Sequence, residues 1–318
     1  MKGLQRSVLF CLAVLLVSCG GSGGSSKSNT GPDNRVYGVS VMSMNNPFFA
    51  MEVEGVREAI KNDNGSTVLF PDPANDIMAQ ITHIDEFIAK RVDVIIVDPI
   101  DSQGIRPALL AAQRAGIPVI NIDSLVADPD LVISMIVSDN VDAGRQSASM
   151  LFESIGGSGD IAIINWSALG AVRDRTDGLK EVIAAQFPNI RIVADQDAYG
   201  MVENSQNIME TYIQAHPNLK GIFAINNPTA QGVVAAIEAA NLQGRILVSS
   251  VDGSQNEIDM IREGQLLCSP MQQPFLIGQT AVEVAKKYWA GEDFESLITI
   301  PVINIHAGNW QEWNGRTY

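Results

Sequence analysis

The sequence has few of the residues on which most catalytic and metal sites depend. It contains 3 histidines and 3 cysteines in 318 residues, and no histidine lies near a carboxylate or a serine in a recognisable catalytic pattern. No Gly-x-Gly-x-x-Gly motif follows the first predicted strand, so no dinucleotide site of that kind is expected. The sequence therefore predicts neither an enzyme nor a bound cofactor or metal ion.

Positive charge is also scarce. The 21 lysines and arginines face 36 aspartates and glutamates, which gives a formal net charge of −15. A chain this acidic is a poor partner for nucleic acid or for an anionic membrane surface. A transcriptional regulator would also need a basic DNA-binding helix pair near its N-terminus, where this chain has an apolar signal and a Gly/Ser-rich stretch. No nucleic-acid partner is therefore predicted.

The N-terminal residues 1–19 read as an export signal. Lys2 and Arg6 precede an apolar run over Val8–Val17, and a run of about ten residues is too short to span a bilayer. The Leu-Val-Ser-Cys motif that ends at Cys19 resembles the bacterial lipobox, in which the signal is cut before the cysteine and the cysteine is lipidated. A plain signal peptide with an incidental cysteine is the alternative. We expect a protein of the periplasm or cell envelope, lipid-anchored at Cys19 and touching membrane only through that anchor.

A flexible tether is predicted over residues 20–34, which are rich in glycine and serine and lack apolar periodicity. Gly20 stands where an acidic residue would resemble an inner-membrane retention signal. Its absence favours the outer membrane, if the source has one, although the sequence does not decide between the two membranes. Cys268 is the only cysteine after the tether, so no disulfide is expected within the folded part.

From Val36 onward, apolar strands alternate with amphipathic helices in two series of similar length. The strands are continuous apolar runs, which indicates parallel sheets covered by helices on both faces. With 46% hydrophobic residues, the chain is apolar enough for two packed lobes. The predicted strands are Val36–Ser40, Thr67–Phe70, Val94–Val97, Val119–Ile122, Ile161–Ile164, Ile190–Val193, Gly221–Ala224, Ile246–Ser250 and Leu266–Ser269.

The turn after the first strand is the clearest candidate for a ligand site. Asn46 is a favourable N-cap, and Pro47 suits the first position of a helix. Phe49 falls on the apolar stripe of that helix, whereas Phe48 lies one position off it and is expected at the turn. In open α/β sheets, small molecules bind at such turns. Aromatic rings flanked by amides suit a sugar, which has apolar C–H faces and polar hydroxyls. The alternative is that both phenylalanines are ordinary core.

A set of short motifs, spread in order over about residues 35–318, resembles the bacterial periplasmic substrate-binding proteins of the ribose-binding type. They are Asn45-Asn46-Pro47-Phe48-Phe49, Asn121-Ile122-Asp123, Ser138-Asp139-Asn140, Val172-Arg173-Asp174-Arg175, Ala215-His216-Pro217, Phe223-Ala224-Ile225-Asn226-Asn227, Val251-Asp252-Gly253 and Gln272-Gln273-Pro274. The resemblance implies the type I periplasmic binding protein fold, in which two similar doubly wound parallel-sheet lobes are joined by a three-crossing hinge.

The resemblance also implies where the chain divides. The crossings fall near Val137–Ser138, Met271–Gln272 and Val302–Ile303. The N-terminal lobe would comprise residues 35–137 with 272–302, and the C-terminal lobe residues 138–271 with 303–318. The ligand would lie in the cleft between them.

The ligand-binding residues implied by the resemblance come from both lobes and the hinge. They are Asn46, Phe48, Phe49, Asp123, Arg175, Asn226, Asp252 and Gln272, with Trp166 or Tyr199 as the aromatic of the second lobe. We expect Asp123 and Arg175 to face each other across the cleft through the ligand. The alternatives are a turn at Asp252, a helix cap at Asn226 and a solvated helix charge at Arg175. Ser124 stands where the ribose pattern has an arginine, so a hexose, another pentose or a polyol all stay open.

The function implied is that of a substrate-binding lipoprotein of a bacterial ABC sugar importer. Its partners would be a small neutral sugar or polyol and the permease and ATPase complex, and the protein is expected to be a monomer. The alternative is a sensing protein that presents its sugar-closed form to a chemoreceptor or a sensor kinase.

Overall fold

The computed structural model describes residues 34–64 and 66–318. The predicted signal peptide, Cys19 and most of the predicted tether lie outside the described residues. Across the part that is described, none of the helices combines the length and the apolar character needed to cross a membrane.

The described chain alternates strands and helices, as the sequence predicted. The strands are β1 Val36–Ser40, β2 Thr67–Leu69, β3 Val94–Val97, β4 Val119–Ile122, β5 Ser134–Ser138, β6 Ser158–Asn165, β7 Asn189–Asp197, β8 Leu219–Ala224, β9 Leu247–Ser249, β10 Cys268–Met271, β11 Leu297–Ile300 and β12 Ile303–His306. The helices are α1 Pro47–Ile60, α2 Ile77–Lys90, α3 Arg106–Ala115, α4 Asn140–Ser154, α5 Gly170–Gln186, α6 Val202–Ala215, α7 Asn227–Ala239, α8 Gln255–Arg262, α9 Pro274–Ala290 and α10 Trp310–Trp313.

The first lobe is built on a six-stranded sheet in the order β11-β5-β4-β3-β1-β2, in which every pairing is parallel. Helices α1 and α9 pack together on one face, and α2 and α3 pack on the other. The central strands β3 and β4 are buried throughout. Their carboxyl ends therefore have a rigid support, and the polar residues that follow them are held in place.

The second lobe is built on a four-stranded parallel sheet in the order β7-β6-β8-β9. Helices α4 and α5 pack together beside it, as do α6 and α7, and the two pairs contribute to different apolar cores. A Cβ atom on Gly144 of α4 would collide with the main-chain carbonyl of Arg175 in α5. Glycine at this position lets the two helices approach closely, and this approach positions the segment that carries Arg175.

Strand β10 departs from the predicted parallel pattern, because it pairs antiparallel with β12. The chain passes from the first sheet to the second lobe after β5, returns after β10, and leaves again after β11. Two parallel sheets with helices on both faces and these connections make up the predicted fold class.

Candidate ligand-binding cleft

A cavity of about 310 Å³ lies where the carboxyl ends of strands from both sheets meet. This volume is at the lower end of the range, about 300–1,000 Å³, that is usual for small-molecule sites. The structure brings all nine predicted residues into its wall, and Tyr199 as well. The nine are Asn46, Phe48, Phe49, Asp123, Trp166, Arg175, Asn226, Asp252 and Gln272. Their contact with a ligand stays a prediction.

The first-lobe wall is formed by the start of α1. The side-chain oxygen of Asn46 accepts a hydrogen bond from the Phe48 N–H at 3.0 Å, so the amide NH₂ is the group left for a ligand. The Phe48 and Phe49 rings meet edge to face, with centroids 5.4 Å apart. Phe49 also packs against the first-lobe core. The two rings support each other and give the cavity an apolar surface.

The second-lobe wall places an aromatic ring and an amide at the ends of β6 and β8. Asn226 caps α7, and its side-chain oxygen accepts hydrogen bonds from the Thr229 N–H at 3.1 Å and the Thr229 hydroxyl at 2.7 Å. Asn226 is therefore a helix cap and a cavity residue at once. Trp166 packs against the second-lobe core and lines the cavity. Gly200, whose φ of 62° favours glycine, brings the backbone close to the Trp166 ring.

Arg175 is deeply buried and has a direct partner in its own lobe. Its guanidinium lies 3.5 Å from the Asp252 carboxylate, and it donates to the Ile225 carbonyl at 2.6 Å and to the Asn140 side chain at 2.8 Å. Asp252 also accepts from Gln272 at 2.8 Å. Burial excludes the alternative of a solvated helix charge at Arg175. The sequence argument did not foresee the Asp252 partner, and pairing with Asp123 through a ligand stays a prediction.

Asp123 presents an unsatisfied carboxylate to the cleft. It follows β4 in a left-handed backbone conformation with φ 53°, and it is 8% exposed. Among the described residues, one carboxylate oxygen has no hydrogen-bond partner, and the other accepts from the Ser124 hydroxyl at 3.4 Å. Burial raises the pKa of Asp123 to about 6, against the lowering effect of the Arg175 charge. Because buried polar atoms are rarely left unpaired, a ligand hydroxyl is the natural partner for the free oxygen.

Two further acids lie behind this wall, and sequence reasoning missed both. Glu52 of α1 and Asp98 after β3 are fully buried. Within the described part of the chain, neither Glu52 oxygen has a hydrogen-bond partner, and Asp98 accepts from the Ser124 N–H at 3.2 Å. Burial, reinforced by the charges of neighbouring acids that include Asp123, raises the pKa of both well above the usual range. A signal existed for Glu52, since it is three residues after Phe49 on the buried helix stripe.

The pKa of Asp123 leads to a prediction for the ligand-free protein. Its folded-state pKa of about 6 lies above its ordinary value of 3.8, so the folded protein keeps a proton that the unfolded chain loses between these values. Stability from this group is therefore lost as the pH rises through that window, by about 1.4 kcal/mol per pH unit. Between pH 4 and pH 7, wild type should lose about 2–3 kcal/mol of unfolding free energy through Asp123. Asp123→Asn lacks this group, so its unfolding free energy should fall by that much less over the same range.

Urea unfolding at the two pH values measures this difference. Glu52 and Asp98 are present in both proteins. Because the Asp123 charge helps to raise their pKa values, its removal can only weaken the pH dependence further, in the same direction. The exposed Asp85 supplies a matched control, because Asp85→Asn should keep the wild-type pH dependence. The same pH dependence in wild type and Asp123→Asn would show that Asp123 ionises as it does in the unfolded chain.

Comparison with known proteins agrees with this geometry, in which two parallel-sheet lobes meet at one cavity. The family model described as periplasmic binding protein domain matches residues 37–293. The ribose import binding protein of Bacillus subtilis (strain 168) is 30% identical over 278 residues, which cover 86% of this chain and 88% of that protein. The chain therefore belongs to the periplasmic binding protein family, and within it to the ribose-type sugar-binding proteins.

Solved structures of sugar complexes are also similar. An ABC transporter periplasmic solute-binding protein from Actinobacillus succinogenes 130z with bound D-allose is 28% identical, with a TM-score of 0.81 over 87% of this chain and 99% of that one. The arabinose-transporter binding protein from Shewanella sp. ANA-3, bound to L-arabinofuranose, is 27% identical, with a TM-score of 0.82 over 88% and 95%. The predicted fold class is confirmed, and the family is one of solute-binding proteins, not of enzymes.

Proposed function

We propose that this chain is the substrate-binding component of a bacterial ABC importer and that it binds a neutral monosaccharide or polyol in the interlobe cleft. The observation that carries the proposal is the pairing, in one cavity, of the Phe48–Phe49 wall with the unpartnered carboxylate oxygen of Asp123. The relatives named for ribose, D-allose and L-arabinofuranose support the ligand class. They also favour import over sensing, because the Bacillus subtilis relative is named for import.

The polar groups of the cleft suit hydroxyls. An ionised aspartate only accepts hydrogen bonds, a guanidinium only donates them, and amides do both. A sugar hydroxyl donates one hydrogen bond and accepts others, so it can satisfy each of these groups. Arg175 and Asp252 balance each other's charge, which removes the need for a charged ligand on that side. Bonds to charged groups are about twice as strong as neutral ones, which favours affinity in a closed, dry cleft.

Binding would proceed by closure of two lobes, residues 35–137 with 272–302 and residues 138–271 with 303–318. We take the connections near 137–138, 271–272 and 302–303 as the hinge. The ligand contacts both walls only when the lobes are closed, so it shifts the population toward the closed form. The permease and its ATPase would then recognise the closed form. The binding protein would act as a monomer.

A thermal-shift panel of sugars, polyols, amino acids and nucleosides tests the ligand class. A sugar or polyol at a hundred times its Kd should stabilise the folded protein by about 2.7 kcal/mol. A matched control is Asp85→Ala, which alters an exposed residue and should give the same ranking of ligands. Stabilisation by amino acids or nucleosides, without any by sugars or polyols, would refute the sugar assignment.

Anchoring in the envelope is a separate part of the proposal. It rests on the lipobox-like motif that ends at Cys19 and on the Gly/Ser-rich stretch after it. Radiolabelled palmitate supplied to cells should label the wild-type protein, and Cys19→Ala should carry no label. Cys268→Ala is the matched control and should label like wild type, because that cysteine is buried in the second lobe. Label retained in Cys19→Ala would contradict the anchor.

A further inference from the structure

Tyr318 connects the two lobes directly behind the aromatic wall of the cleft. Its ring meets the ring of Phe48 edge to face, with centroids 5.6 Å apart and planes at 80°. Its hydroxyl donates a hydrogen bond to the main-chain carbonyl of Asp252 at 3.0 Å. Phe48 belongs to α1 of the first lobe, whereas Asp252 follows β9 of the second. One side chain therefore touches a cavity residue from each lobe.

The segment that carries Tyr318 is fixed to the second lobe. The main-chain N–H of Gln255, the first residue of α8, donates to the Tyr318 carbonyl at 2.8 Å. The Gln255 side chain donates to the Asn314 side chain at 2.8 Å and accepts from the Gly315 N–H at 2.7 Å. Trp310 and Trp313 of α10 pack against a second-lobe core. If the lobes separate, Tyr318 thus moves with the second lobe, and its contact with Phe48 is the one that breaks.

The ring of Tyr318 also fills the space behind Phe48. A second cavity of about 190 Å³ lies on that side, and its wall includes Tyr318, Met51 and Gln272 but not Phe48. Removing the Tyr318 ring would connect this cavity to Phe48 and leave the Phe48 ring without support on one side. Tyr318 is half-buried, and burial raises the pKa of its hydroxyl well above the usual range, so it stays a neutral donor.

We propose that Tyr318 is a positioning residue that couples lobe closure to the orientation of the Phe48 ring. The Asp252 carbonyl holds the hydroxyl in the second lobe, and the ring then supports Phe48 only when the lobes are closed. The coupling to ligand binding rests on the proposed function, because it takes Phe48 as part of the ligand wall. The effect of Tyr318 on lobe closure does not rest on the proposed function, since it follows from contacts within the protein.

Electron-spin distance measurements without any sugar test the coupling. Nitroxide labels are placed at the exposed positions Arg114 in the first lobe and Glu210 in the second, on the full chain with Cys11 and Cys19 changed to serine. Cys268 is buried and is left in place. An edge-to-face aromatic pair predicts that Tyr318→Leu lowers the closed-to-open ratio by about two- to tenfold. Tyr318→Phe keeps the ring but loses the hydrogen bond to the Asp252 carbonyl. Its closed-to-open ratio should lie between those of Tyr318→Leu and wild type.

Tyr288→Leu is the matched control, because Tyr288 also meets a phenylalanine edge to face, Phe294, but within the first lobe. It should leave the distance distribution unchanged. Wild-type distances in Tyr318→Leu, an equal shift in Tyr288→Leu, or a wild type with no closed population would each overturn the proposal. If Tyr318→Leu does not fold, Tyr318→Phe decides, and an unchanged ratio in that variant overturns it. Since no sugar is present, these outcomes are independent of the ligand assignment.

Discussion

Replacing Arg175 with alanine is expected to lower the unfolding free energy of the ligand-free protein by about 3–5 kcal/mol. The guanidinium is buried, is 3.5 Å from the Asp252 carboxylate and donates to the Ile225 carbonyl and the Asn140 side chain. Its removal leaves Asp252 in a buried site without its cation, and leaves two acceptors without their donor. Urea unfolding at pH 7 measures the loss.

Arg173→Ala is the matched control for this effect, because it removes the same charge from the same helix. Arg173 is exposed, and in the described chain its side chain donates only to the main-chain carbonyls of Ser167 and Ala168, just before the helix. Its removal should cost no more than about 1 kcal/mol. Equal losses of unfolding free energy in Arg175→Ala and Arg173→Ala would mean that Arg175, with its Asp252 partner, stabilises the fold no more than an exposed arginine does.

The second large effect concerns affinity and falls on Asp123. Asp123→Ala is expected to weaken binding of the sugar identified by the thermal-shift panel by about 2–5 kcal/mol, since the charged acceptor facing the ligand is lost. At neutral pH the same change should leave apo stability unchanged or improve it, because a buried carboxylate with one unpartnered oxygen is removed. The combination of a large loss of affinity with no loss of stability identifies a ligand-binding residue.

Calorimetric titration of wild type and Asp123→Ala measures this change. Asp98→Asn is an informative companion variant, because Asp98 is fully buried beside Ser124 but does not line the cavity. It should reduce affinity less than Asp123→Ala does. Unchanged affinity in Asp123→Ala would show that the first-lobe polar wall has been assigned to the wrong residue.

Much of the fold could be predicted from the sequence because its strands are continuous apolar runs. Strands β1, β3 and β4 have the predicted limits, and all three lie at the centre of the first sheet. Strands β5, β11 and β12 were not predicted, although β11 pairs with β5 at the edge of that sheet. Strand β11 is a run of only four residues, Leu-Ile-Thr-Ile, and so short an apolar run does not by itself distinguish a strand from part of a buried helix.

Most of the predicted site residues converge because they follow a strand or lie at the start of a helix, and such positions meet at one edge of parallel sheets. Arg175 is the exception, since it lies in the second turn of α5. What could not be predicted depends on distances between remote segments. The Arg175–Asp252 pair joins residues 77 apart, and the contact of Tyr318 with Phe48 joins the two ends of the described chain. Neither leaves a periodic trace in the sequence. Glu52 is different, because it interrupts the apolar face of a helix and is therefore visible in the sequence pattern. An acid occupies this apolar position because Glu52 is buried beside Asp98.

The most direct test of the cleft assignment is an isotope-filtered nuclear Overhauser experiment on the complex with a uniformly ¹³C-labelled sugar chosen by the thermal-shift panel. The apolar C–H face of the sugar should pack on the aromatic wall. We therefore predict cross-peaks from sugar C–H protons to the ring protons of Phe48 and Trp166, one from each lobe. A saturated complex that gives cross-peaks only to rings outside the cavity, such as those of Trp289 or Tyr288, would contradict the assignment.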